Sequence, residues 1–328
     1  MKKPWLLLIA LAGCTGTSEP PVPAWLALGS GKQVDFYDAD GFRPLGSDPV
    51  LAQSWTLDDN LADLLFFDKR LWLLLPDRLV ALPVQKIQGP PEFTVELEFP
   101  NGTDCSQGTL KAGEEKVLAI CAQTPFAATI SNLEELPIPT LRDDPLYALG
   151  PDDDLIYITN EEVGVYWDPD EDDETLELDL EYQDLDLQDF SYDFAGSQGY
   201  ALLTEGSGLA AVARLLPVRI RTFLDDPPAI STDPTVDIEE FEPEKLVLNQ
   251  EVIIAFGKGF ARFKPSASDV FDSTLSYSAG IVGGDGFVYL ARGNRIDCYD
   301  YRQDPQFQDG RSVTIDSAPE VLALIPLG

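Results

Sequence analysis

Carboxylates are the only abundant reactive side chains in this sequence. Twelve of the residues from Asp168 to Asp189 are acidic, and no Lys or Arg occurs from Asp143 to Ala213. Within that block Asp168, Asp170 and Asp172 stand at alternate positions, Glu174 continues the spacing, and Asp179 closes a twelve-residue frame. Oxygen donors spaced in this way are what a hard cation such as calcium takes. The frame departs from a calcium loop where Gly should stand, because Asp173 occupies that place. The alternation from Leu176 to Tyr182 also predicts a strand after it, where such a loop would lead into a helix. The residues therefore read first as a solvated turn entering an outer strand, with calcium as the one cofactor they suggest. Asp38-Ala39-Asp40-Gly41 reads as an ordinary turn.

Much chemistry is excluded by composition. The chain of 328 residues has no histidine, which removes imidazole acid–base catalysis, Ser-His-Asp arrangements and His-ligated metals. No GxGxxG, phosphate-binding loop or CxxC pair occurs. Paired-carboxylate hydrolysis stays open, although sequence alone does not say which acids would face each other. With 57 acidic against 22 basic residues the formal net charge is −35. No basic patch could neutralise phosphates against that field, so nucleic acid is not an expected partner.

The first residues read as an address. Lys2 and Lys3 precede an apolar run from Trp5 to Ala12, and Leu11-Ala12-Gly13-Cys14 follows. A charged start, a short apolar core and small residues before a cleavage point describe a secretory signal. The run falls well short of the roughly 20 apolar residues of a spanning helix. Leu-Ala-Gly-Cys resembles the lipobox of bacterial lipoproteins, in which the cysteine is cleaved free and lipidated. That resemblance implies a signal peptide at 1–13, a lipidated Cys14 with a flexible tether at 14–23, and a membrane anchor in the cell envelope. In such an oxidising compartment Cys105 and Cys121, which flank a short predicted hairpin, are expected to be bridged. Cys298, beside Ile296 on a predicted strand, reads as a small core residue.

These features must be carried by strands, since no helical periodicity of any length occurs. Seven segments share one pattern, an apolar strand turning through polar residues into a second strand. They begin near Trp25, Leu71, Val117, Ile156, Tyr200, Val252 and Val288, a mean step of about 44 residues, the length of a four-stranded propeller blade. Among the expected turns are Pro76-Asp77-Arg78 and Gly257-Lys258-Gly259. Compact runs upstream of the hairpins, such as Leu64–Phe67, Leu146–Leu149, Leu246–Leu248 and Ala279–Val282, read as inner strands. Phe93–Phe99 and Val218–Phe223 alternate cleanly and read as outermost strands. Asp225 to Glu244 reads as a long irregular insert. Trp25, Trp72, Tyr157, Tyr200 and Tyr289 recur at blade spacing and read as packing between blades.

The two ends complement each other. Val321–Ile325 is an inner-strand pattern without a hairpin, and the hairpin at Trp25 has no inner strand before it. The expected fold is all-β, a seven-bladed β-propeller over 24–328 closed by pairing of these ends. It resembles the propeller superfold of WD40- and YVTN-like domains, although no Trp-Asp dipeptide is repeated. The expected function is a membrane-anchored, non-catalytic binding or scaffold module for a protein or other envelope component. A calcium-dependent, lactonase-like propeller hydrolase and a metal-dependent adhesin are the alternatives. For the hydrolase, convergent acids and Asn side chains would be needed, with Asn160, Asn249 and Asn294 as the available amides.

Overall fold

The structure, a computed structural model, describes residues 23–136, 144–166, 175–182, 184–193, 197–207, 211–221, 229–264, 267–302 and 310–327. Its strands are β1 (Ala24–Ser30), β2 (Gln33–Asp38), β3 (Leu51–Thr56), β4 (Asp63–Phe67), β5 (Arg70–Leu74), β6 (Arg78–Pro83) and β7 (Val95–Glu98). There follow β8 (Thr109–Ala112), β9 (Val117–Cys121), β10 (Thr124–Ala128), β11 (Leu133–Glu135), β12 (Leu146–Leu149), β13 (Leu155–Ile158), β14 (Glu162–Tyr166) and β15 (Thr175–Asp179). Next come β16 (Asp186–Asp193), β17 (Gln198–Glu205), β18 (Val212–Arg221), β19 (Ala229–Thr232), β20 (Val236–Glu239), β21 (Glu242–Asn249), β22 (Val252–Lys264) and β23 (Ala267–Ser276). The last are β24 (Ala279–Val282), β25 (Phe287–Arg292), β26 (Arg295–Asp300), β27 (Arg311–Thr314) and β28 (Val321–Pro326).

These strands form seven antiparallel sheets arranged as the blades of a ring. The inner strands are β28, β4, β8, β12, β16, β21 and β24, and each touches the next around a closed cycle. Blade 1 is composite: β28 pairs with β1 in the register Leu26↔Leu324 and Leu28↔Leu322. The ring is therefore closed by strand pairing, as the complementary ends predict.

Alternation explains why the second strand of each blade is apolar on both faces. In β5, Leu71 and Leu73 pack toward blade 1, while Trp72 and Leu74 pack toward blade 3. Each of the seven junctions between blades holds its own cluster of buried side chains. Full burial of one such side chain is worth about 1.5–3 kcal/mol. Trp72, Tyr157 and Tyr289 are buried in these junctions, and Trp25 and Tyr200 pack against their edges.

Three expectations are corrected. Gly257-Lys258-Gly259 is not a turn: β22 runs through it, pairing with β21 up to Lys258 and with β23 beyond. A Cβ on Gly257 would lie 2.7 Å from the Glu244 nitrogen, so the glycine serves close backbone approach. Gly259, at φ 88°, relieves a bulge there. Val218–Phe223 is not an outermost strand; its first residues end β18, which carries β19 against one half and β20 against the other. The same two strands occupy the segment expected to be an irregular insert.

Cys105 and Cys121 are disulfide-bonded, joining the β7–β8 connection to β9. Cys298 is wholly buried, and burial pushes its thiol well above the ordinary range, as suits a core residue.

Candidate functional site: the channel at the ring centre

An inner strand needs one side facing its neighbours and one facing the axis. The seven axis-facing sides enclose a cavity of about 580 Å³ to which every blade contributes. Its wall is chiefly aliphatic, with Leu64, Leu110, Leu146, Leu187, Leu246 and Leu322 among the lining residues. Charge is confined to a few positions. Asp63, Asp144 and Glu320 stand at or just before the starts of their strands, at one mouth of the channel.

Two of the acids hold the ring together. Asp63 on β4 accepts from the Leu64 N–H and, through its other oxygen, from the Leu110 N–H of the next blade, both at 2.7 Å. Asp189 on β16 does the same, accepting from the Phe190 N–H at 2.7 Å and from the Leu246 N–H of the next blade at 2.8 Å. Each carboxylate thus satisfies a backbone donor on the adjoining inner strand, where two blades would otherwise meet only through side chains. Lys111 on β8 reaches past the intervening blade to the Asp189 carboxylate at 3.3 Å and to the Phe190 carbonyl. Lys245 donates to the Ser278 carbonyl at 3.1 Å.

Burial raises the Asp63 carboxyl to about 6, against the opposing pull of its two backbone N–H donors and of Lys245 and Lys111. It gains its proton only about two units above where an exposed aspartate would. A third acid acts at the other mouth. Asp153, between β12 and β13, accepts from the Glu114 N–H at 2.6 Å and the Glu115 N–H at 3.0 Å in the preceding blade.

Asp63, Asp153 and Asp189 escape a reading based on motifs because they match none. The usable signal was local, an aspartate set into or just beside an inner-strand run, as in Asp63-Leu64-Leu65 and Asp189-Phe190. The sequence-derived site residues are dispersed. Asp179 ends β15 at an exposed outer edge, paired with Glu162. Asp168, Asp170, Asp172 and Glu174 lie outside the described residues, as does Cys14. Among the described residues, no three His, Cys, Asp or Glu side chains converge as a metal site. Asn160, Asn249 and Asn294 do not meet in the channel. Asn249 instead caps its own turn, accepting from the Glu251 and Val252 N–H groups and donating to Tyr301.

No protein-family model matches the sequence, and no curated protein is similar to it. Solved structures do resemble it. Hsv2 of Kluyveromyces lactis superposes with a TM-score of 0.55 at 8% identity, covering 90% of this chain and 95% of that one. The WD40 domain of Neurospora crassa Pan2 gives 0.54 at 8% identity, covering 78% and 79%. AztD of Citrobacter koseri gives 0.49 at 10% identity, covering 91% and 83%. What Hsv2 and the Pan2 domain share with this chain is the fold. At such identity a propeller says nothing about ligand or reaction.

Proposed function

We propose that this protein is a lipid-anchored, non-catalytic propeller of the cell envelope that binds a protein or other envelope component. The observation that carries the reading is the occupation of two of the channel's carboxylates, Asp63 and Asp189. Asp63 and Asp189 each spend both oxygens on backbone donors, one of them on the adjoining blade. Acids committed to holding blades together are poorly placed to shuttle protons or ligate a catalytic metal. The absence of histidine, the Cys105–Cys121 bridge and the Leu11-Ala12-Gly13-Cys14 sequence support the same picture of an exported binding module.

Two measurements test it. Cys14→Ser should release the protein from membranes that retain the wild type through a carbonate wash. A pull-down from envelope extracts, with and without calcium, should recover the same partner in both. Retention of the variant would remove the anchor, and a partner recovered only with calcium would favour a metal-dependent adhesin.

A further inference from the structure

The two faces of the ring differ in kind. Pro23 and Leu327 are hydrogen-bonded to each other where β1 begins and β28 ends. The loop from β2 to β3 leaves the same face, since Asp38 at the end of β2 is opposite Trp25 at the start of β1. The β10–β11 turn leaves it too, because Ala128 at the end of β10 aligns through Val117 with Ala112 at the end of inner strand β8. Every exposed large apolar side chain among the described residues lies at this face: Leu45, Val50, Leu51, Ile130 and Leu327. Chance scatter of surface apolar residues would spread them over both faces.

Leu45 is held out by construction. It is fully exposed and its φ is +67°, a left-handed conformation that a leucine adopts at a cost. The loop bearing it is pinned from below. Arg43, buried, reaches Asp285 at 2.9 Å, and Arg311 donates to the Gly46 and Ser47 carbonyls at 2.7 and 2.8 Å. At the same face a groove of about 410 Å³ opens between blades 1 and 2, lined by Trp25, Phe66, Val84, Leu327 and Lys69. Lys69 and Lys86 are exposed at this rim, two of the few cations on a chain of net charge −35.

We propose that this face lies on the surface of a phospholipid bilayer of zwitterionic composition. The proposal rests on the lipid-anchor reading of Cys14. Eight residues separate Cys14 from Pro23, a stretch of nine steps that at full extension spans only about 30 Å. The face from which that segment leaves is the face that carries the apolar side chains. Leu45, Val50 and Leu327 enter the headgroup region, Trp25 sits at its level, and Lys69 and Lys86 meet lipid phosphates. Asp48 and Asp68, exposed on this same face, repel anionic lipid, and the acidic remainder of the surface keeps the opposite face in water.

The test places an environment-sensitive fluorophore on the full-length chain at Leu45→Cys or, on the opposite face, at Asn294→Cys. In the lipidated chain the Cys14 sulfur is a thioether, Cys105 and Cys121 are bonded to each other and Cys298 is buried, so the introduced thiols are distinct. With vesicles of phosphatidylcholine and phosphatidylethanolamine, the label at position 45 should shift blue and be quenched at least twofold by a lipid-borne nitroxide, while that at 294 does not respond. Flotation of the same samples reports the anchor separately. A chain that floats while position 45 stays in water overturns the docked face and leaves the anchor intact. A chain that neither floats nor responds overturns both. Shielding of position 45 without lipid, whether it grows with protein concentration or needs an envelope protein, would assign the face to a second copy or a protein partner and overturn the proposal.

Discussion

Arg43 and Asp285, 242 residues apart in sequence, meet at 2.9 Å across the junction of the first and last blades, both almost wholly buried. Tyr289 donates to the same Asp285 oxygen at 2.7 Å, and Arg43 Nε donates to the Tyr289 hydroxyl at 3.2 Å. The Arg43 and Arg302 guanidinium groups lie 5.2 and 5.0 Å from the centre of the Phe287 ring. The ring is thus fastened twice where its ends meet, by the pairing of β28 with β1 inside blade 1 and by this ionic contact across the adjoining junction.

Removing one member of a buried ion pair leaves the other charge uncompensated, typically at about 3–5 kcal/mol. Arg43→Met should cost that much in denaturant unfolding. Adding Asp285→Asn, which keeps an acceptor for the Phe287 N–H, should recover part of the loss. Strict additivity of the two changes would mean that the pair is not coupled.

Deleting residues 320–328 should destabilise the protein far beyond the effect expected for nine terminal residues. Leu322, Leu324 and Ile325 are each buried, worth about 1.5–3 kcal/mol apiece, and their loss also opens the inner edge of β1. Thermal melting and light scattering report the two effects together. A truncated chain that melts like the full-length one would show that the closing strand contributes little.

The Cys105–Cys121 bridge closes a short loop, with a sequence separation of 16. Replacing both cysteines by serine should lower stability by roughly 3 kcal/mol in the chain-entropy model. Mass spectrometry of unreduced peptides checks the pairing itself, since free thiols at these positions would contradict it.

Asp63 gives a pH signature of defined sign. Its carboxyl titrates at about 6 in the folded chain, against about 4 when unfolded. Between those values the folded state keeps a proton that the unfolded state has lost, so this group's contribution falls as pH rises through the window. Two units correspond to at most about 3 kcal/mol, complete by pH 7. Asp63→Asn should therefore gain on the wild type as unfolding is measured from pH 4 to pH 7. A stability gap that stays constant over that range would contradict the raised value.

The blades were legible because their second strands are buried on both sides. Leu71–Leu75 and Val252–Phe256 read as unbroken apolar runs, and all seven such runs fall where expected. What misled was glycine. Gly257 and Gly259 look like turn residues in sequence, yet one serves close backbone approach and the other a bulge. The outer strands β19 and β20 hide in a Pro-rich acidic stretch because an edge strand exposes most of its side chains. Arg43, Asp63 and Asp189 acquire their roles from partners 242, 47 and 57 residues away, which no local pattern carries.

The composite first blade also sets an order of events as the chain is made. The β1–β2 hairpin is among the first structured elements to emerge, yet the inner edge of β1 has no partner until residues 321–326 arrive. Contacts so distant in sequence form slowly, because a loop of nearly the whole chain must close first. Until then the ring is an open arc, with the inner edge of β1 unpaired at one end and the apolar face of the last blade uncovered at the other. Were the chain to cross a membrane, it would do so before that closure, and an escort would have to cover the β1 edge and the open blade face until β28 had crossed.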